Sequence, residues 1–512
     1  MRRATIVALA FVSAASFTQA QDAAHPHTTS PERLGTVHFA TSCKPDVTPQ
    51  FDRAVALLHS FEFGASIRGF NDVLAADSTC VMAYWGLALS RWGNPTAAGN
   101  RPASLLQQGG QWAFTGARLA AAATDRERGY LGAVSQLYDD FQQRDQHTRV
   151  EAYSHAMESL VMQQPADTEA KIFYAISLVA AASPTDKTYG NQLKAGAILE
   201  ALWAKQPDHP GLAHYIIHTY DYPALADKAR AAAARYALIA PSAAHALHMP
   251  SHTFTRLGMW KESVDANERS SEAALNTGSI AEALHAADYE MYAYLQLGEY
   301  GKAKSILEQL PTIAARFDPN AIGGAAPPAA AYFAMAAIPA RWALERGAWA
   351  EAAALEPKTT DYPYADAITH FARAIGASRT RDFLKAQRSI DSLAAIQQRL
   401  TAQKESYWAE QVAIQLLGAQ AWLALAEGKK GDALKLMREA ATREDATEKS
   451  AVTPGPVAPA HELLGDMLMQ MGRPAQARAE FQLTLKKEPN RRHSLVQLAP
   501  ATASRLAPPA SH

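Results

Sequence analysis

The chain has 512 residues, 48% of them hydrophobic, 8% aromatic and 19% charged, with 49 Lys plus Arg against 50 Asp plus Glu. A net charge of −1 argues against a nucleic-acid partner, which asks for a basic face or a high domain pI. The apolar fraction excludes a globally disordered chain, and two cysteines exclude a disulfide-dense scaffold.

The first twenty residues predict a secretory leader. Arg2 and Arg3 supply the positive region, Ala4 to Ala15 an apolar stretch, and Thr18-Gln19-Ala20 a small-residue cleavage site, so residues 1–20 are read as a signal peptide. An apolar run of about 12 residues is too short to span a bilayer, and no later run is long enough, so the mature chain is expected to have no transmembrane segment. The expected destination is outside the cytoplasm, the periplasm in a Gram-negative bacterium. Cys43 and Cys80 survive cleavage, and an oxidising compartment favours their pairing as a disulfide. A buried free thiol at Cys80 and a metal role for Cys43 are the alternatives.

Residues 21–46 are polar and irregular, with Pro31 and Pro45 as breakers. From residue 47 helical periodicity dominates and no alternating strand pattern stands out. The C-terminal part repeats a pattern: Leu464-Gly465, Leu468, Gly472, Ala477, Phe481, Leu485, Pro489. Weaker copies place a turn glycine at Gly258, Gly298, Gly347 and Gly428, and an N-terminal copy shows Phe63, Phe70 and Val73 before Tyr84-Trp85-Gly86. This spacing resembles the tetratricopeptide repeat over roughly residues 47–490. The resemblance implies an all-α solenoid of stacked helix-turn-helix repeats, each unable to bury its apolar face alone. It also implies a peptide, protein or small-molecule ligand on a concave face lined by the first helix of each pair. Residues 94–125 and 315–330, rich in Gly, Pro and Ala, depart from the pattern and read as insertions or loops. Residues 491–512 form a polar tail suited to capping the array.

Histidine distribution carries the chemistry. Seventeen histidines in 512 residues would place one or two in a 44-residue window, yet 209–252 holds six: His209, His214, His218, His245, His248 and His252. On a helix, His214, His218 and Asp221 fall within about 60° of arc, and His245, His248, His252 and Arg256 within about 80°. His285, Asp288 and Tyr292 form a third stripe. The repeat phase puts all three stripes on successive first helices, and the resemblance implies that they face one hollow.

Crowded imidazoles repel when protonated, whereas the neutral ring is a metal ligand. Metal candidates are therefore His214, His218, His245, His248 and His252, binding a transition metal such as Zn, Cu or Fe. Asp221, Arg256, His285, Asp288 and Tyr292 are expected in supporting or substrate-binding roles, with Asp221 or Asp288 as a further oxygen ligand and Arg256 orienting an anionic substrate. So many donors permit two ions, or one ion with acid–base partners. Hydrolysis and oxidation both fit, and the chemistry stays open. Metal-free peptide recognition, a scaffold role in the cell envelope, or plain polar packing would use the same residues. Pro250 interrupts the second stripe and can re-aim His252. His209, beside Pro210, reads as a loop residue outside the cluster. The sequence holds no phosphate loop, nucleophile elbow or Cys-x-x-Cys motif, so no nucleotide cofactor is expected.

Overall fold

A computed structural model describes residues 32–499; the leader reading, the start of the irregular segment and residues 500–512 of the tail lie outside them. Among the described residues every regular element is helical, and none is long and apolar enough to cross a membrane. Consecutive helices pack antiparallel in pairs, and the first helix of one pair also packs on the first helix of the next, as Ile280–Leu297 does on Pro328–Glu345 and Pro363–Arg379 on Ser406–Ala426. This is the stacked helix-turn-helix solenoid that the repeats imply.

The repeat residues do the expected physical work. Gly258, Gly298, Gly347, Gly428 and Gly472 all have positive φ, between 63° and 85°, the left-handed conformation that ends a helix and that glycine adopts without a Cβ clash. Gly258 has a second constraint: a Cβ there would meet the Pro489 carbonyl oxygen at 2.2 Å. In the last copy Gly465 lets Phe481 lie flat on the first helix, with ring carbons 2.6–2.9 Å from where a Cβ would be.

Residues 94–125 are not all loop. Ala103–Leu119 is a helix despite Gly109, Gly110 and Gly116. Gly109 leaves room for the Tyr138 ring, and Gly116 for Leu131 and Tyr84, so close packing offsets the helix-propensity cost of about 1 kcal/mol per glycine. Residues 94–102 and 315–327 are irregular as expected. The segment before the array is anchored rather than loose. Phe39 is buried against Phe51, Trp85 and Tyr130, and Cys43 and Cys80 are joined as a disulfide. At the other end, Arg491 is buried in ion pairs with Glu345 and Glu462 and donates to the Tyr292 hydroxyl, while Asn490 binds Trp260 and Gly258. This turn packs against the middle of the array.

Candidate metal centre

Three consecutive inner helical stretches supply the site. Pro210–Thr219 opens on Pro210, whose missing N–H costs nothing at a first helical position. Leu212 and Ile216 are buried away from its histidine stripe, each contributing roughly 1.5–3 kcal/mol. The second stretch breaks at Pro250 into Ala244–His248 and Pro250–Arg256. Met249 between them keeps helical dihedrals, φ −53° and ψ −35°, so the stripe continues and His252 stays one turn beyond His248. Ile280–Leu297 supplies His285.

Six imidazoles meet, all buried, in two sets of three: His214, His218 and His245; and His248, His252 and His285. Within each set one nitrogen per ring lies within 4.8 Å of the others. The sets adjoin, with ring centroids 5.8 Å apart for both His245–His248 and His218–His252. His248 Nε2 and His252 Nε2 are 3.0 Å apart.

The outward nitrogens of five rings are held by other groups. His214 Nδ1 bonds the His59 carbonyl at 2.6 Å, His218 Nδ1 the Thr96 hydroxyl at 3.3 Å, and His245 Nδ1 Glu282 at 2.8 Å. His248 Nδ1 bonds Asn267 at 2.6 Å and His252 Nδ1 bonds Asp221 at 2.9 Å. A ring that donates from Nδ1 presents Nε2 as a lone pair. The Nε2 atoms of His214, His218 and His245, and Nδ1 of His285, are buried with no hydrogen-bond partner. A buried polar atom left so costs about 1–3 kcal/mol.

Electrostatics favour the neutral form of five of the rings. Burial, reinforced by the neighbouring imidazoles, pushes His214, His218 and His248 well below the usual range. Burial also pushes His285 down to about 3. Burial lowers His252 too, against the pull of Asp221. Neutral imidazole is the form that binds a metal.

The supporting residues distribute differently from expectation. His285 belongs to the cluster itself. Asp221 does not face it as an oxygen ligand: its carboxylate binds His252, Arg256 at 2.8 Å and Lys449 at 3.1 Å. Burial alone would raise that carboxyl, but Lys449 and Arg256 outweigh it and hold it well below the carboxylate range. Arg256 is therefore a clamp on Asp221, donating to its carboxylate and to its carbonyl at 2.8 Å, rather than a free anion receptor. Asp288 turns to the next inner helix and forms a fully buried pair with Arg341 at 2.8 Å. Tyr292 lies two turns beyond His285, about 10 Å along the axis, and bonds Glu488 and Arg491. Neither reaches the imidazoles.

Several members escaped the sequence reading. Tyr289 sits one turn after His285, with its ring centroid 4.8 Å from His248, 5.1 Å from His252 and 5.2 Å from His285. Its hydroxyl donates to the Thr453 carbonyl at 3.1 Å. The spacing of four from His285 is the signal that could have found it. His209 is a loop residue just before Pro210, as expected, but it is buried, and with His59 it grips Glu169 at 2.9 Å from each ring. That trio lies behind His214, which bonds the His59 carbonyl. Lys449 has no local sequence signal, since it arrives from the segment between Lys430–Ala446 and Ala460–Gln470. Burial, opposed by Asp221, lowers its pKa to about 8.

A small cavity lies against the cluster, walled by His218 and His245 of one set and His252 and His285 of the other. Ala97, Ala98, Ala325, Ala326, Ala330 and Val452 form much of the rest. The three irregular segments 94–102, 315–327 and 447–459 thus close the chamber. An open cleft of about 1580 Å³ shares His218, Ala97, Ala98, Ser450 and Ala451 with it and gives a route from the surface.

No protein-family model and no curated protein matches the chain. Among solved structures it is similar to a chain of the APC/C hetero-tetramer Cut9–Hcn1, with 11% identity, TM-score 0.37, and coverage of 88% of this chain and 75% of that one. It is also similar to the human IFIT1 dimer with m7Gppp-AAAA, with 10% identity, TM-score 0.33, and coverage of 79% and 90%. A third is yeast Tom70, with 12% identity, TM-score 0.32, and coverage of 90% and 96%. Superpositions this loose say nothing of ligand or partner.

Proposed function

We propose that this chain is an exported tetratricopeptide-type protein whose chamber binds two transition-metal ions, each held by three imidazoles. Export rests on the leader pattern of residues 1–20. The observation that carries the metal reading is that in His214, His218 and His245 an inward, partnerless Nε2 is paired with an outward Nδ1 fixed by the His59 carbonyl, Thr96 and Glu282, while in His248 and His252 the Nδ1 atoms are fixed by Asn267 and Asp221 and the two Nε2 atoms meet each other at 3.0 Å. Metal-binding histidines are oriented in this way. Plain polar packing would not leave buried nitrogens unmatched beside one another, and a peptide-recognition groove would keep its imidazoles accessible.

His214, His218 and His245 would hold one ion and His248, His252 and His285 the other, with Tyr289 beside the second. Imidazole donors suit Zn, Cu, Fe and Ni. The cavity between the sets gives a small molecule access to both ions, the arrangement that metal-assisted hydrolysis and oxidation share. Elemental analysis of protein purified without an affinity tag tests the proposal. About two ions per chain are expected, one for each imidazole triad, because in the third cluster, His59, Glu169 and His209, the carboxylate already closes on both rings at 2.9 Å. His214→Ala and His285→Ala should each remove one. Metal-free protein that takes up no ion in dialysis against Zn or Cu would overturn it and leave a partner-binding scaffold.

A further inference from the structure

Resting on the two-ion reading, we infer that the ions are copper and that the molecule held between them is dioxygen. The donor set is the first argument. Six imidazoles gather here and no carboxylate joins them, because Asp221 and Glu282 are turned to outward ring nitrogens. The only two cysteines are tied to each other. Hard oxygen-seeking ions find no ligand here, and copper heads the affinity order for nitrogen donors.

The cavity is the second. Each set places two rings in its wall, so one small molecule can touch both ions. Elsewhere the wall is mostly alanine, with Val452 and Pro327. Tyr364 and Trp408 add aromatic surface, with the Trp408 indole N–H buried and unpartnered, while Asn94 Oδ1 accepts from the Thr96 amide and hydroxyl and the Ser450 hydroxyl accepts from the Val452 amide. No acid or base is presented to position water against an ester or amide. A small apolar molecule fits this lining, and a polar hydrolysable substrate does not.

Charge balance is the third. Asp221 is already offset by Arg256 and Lys449, which leaves Glu282, against His245, as the carboxylate beside the rings that no Lys or Arg offsets, so little negative charge remains to neutralise ions of high charge in a low-dielectric interior. Two cuprous ions carry two net positive charges. When dioxygen binds, each cuprous ion gives one electron and becomes cupric. Dioxygen takes both, keeps its O–O single bond as peroxide, and forms bonds to both coppers. Two cupric ions and one peroxide dianion again carry two net positive charges. No proton or external reductant is required, and the buried charge is unchanged.

The test loads full-length metal-free protein with Cu(I) under anaerobic conditions, measures bound copper, and then admits oxygen. The expected result is one dioxygen taken up per two coppers, a near-ultraviolet charge-transfer band that fades when oxygen is removed, and no electron-paramagnetic-resonance signal from the coupled pair. His285→Ala should retain one copper and lose uptake. Ala330→Leu should keep both coppers and slow uptake by filling the cavity wall, with folding of each variant checked by circular dichroism. Two bound coppers with no oxygen uptake, or with the resonance signal of isolated cupric ions, would overturn the dioxygen inference and leave the two-ion reading standing. Failure to retain copper or zinc would overturn both.

Discussion

Glu282→Gln tests the two proposed ion sites separately, because Glu282 orients only one of the six rings. Glu282 Oε1 accepts from His245 Nδ1 at 2.8 Å, and Oε2 accepts from the Ala326 amide at 2.9 Å. Glutamine keeps the shape but carries no charge and only one carbonyl oxygen, so whichever way the amide faces, His245 loses its charge-assisted partner. Losing such an orienting partner costs 10–100-fold in metal affinity, about 1.4–2.7 kcal/mol. His245 belongs to the first set, while the rings of the second are oriented by Asn267 and Asp221. Zinc is a suitable probe because it has no redox chemistry. In competition against a chromophoric chelator, the native protein should give two binding steps. The variant should weaken one step by 10–100-fold and leave the other in place. Unchanged affinity at both steps, or equal loss at both, would refute the assignment of separate sets.

Three further outcomes follow from packing and charge. Arg341→Met strands Asp288 in the interior and releases the guanidinium from Thr453, Gly455 and Pro456; urea unfolding should show a loss of roughly 3–5 kcal/mol, partly recovered in the double variant with Asp288→Asn. Burial alone would lower the His461 ring, but the Glu480 and Asp445 carboxylates outweigh it and raise it to about 9. Because the folded value lies above the unfolded one, its stabilisation is complete below about pH 6.5 and is lost as pH rises through about 9. The unfolding free energy of the native protein, measured in urea, should therefore fall over that interval by roughly 2 kcal/mol more than that of His461→Gln, allowing for solvent screening of the partly exposed Asp445. Replacing both Cys43 and Cys80 by Ala opens a loop spanning a sequence separation of 37 and should cost roughly 3–4 kcal/mol in thermal or urea unfolding.

Much of the centre was legible because helical spacing is local. His214 with His218, and His248 with His252, lie four residues apart, and the repeat phase put their helices side by side. His285 falls on a third stripe by the same rule, but spacing alone does not tell a ligand position from a supporting one. Spacing could not decide between neighbours on a broad face. Asp288 and Tyr292 share the stripe of His285, yet one turns to Arg341 and the other lies too far along the axis. The contacts that orient the rings come from distant segments: Thr96 precedes His218 by 122 residues, and Lys449 follows Asp221 by 228. No periodicity encodes those meetings. Segments 94–102, 315–327 and 447–459 carried no repeat signal, and they are the ones that close the chamber.

Crystals of the metal-loaded protein, measured at the absorption edge of the bound metal, give the most direct test of the central claim. The account predicts two anomalous peaks, one bonded to His214, His218 and His245 and the other to His248, His252 and His285. A single peak shared by both sets, or peaks only at the protein surface, would contradict it.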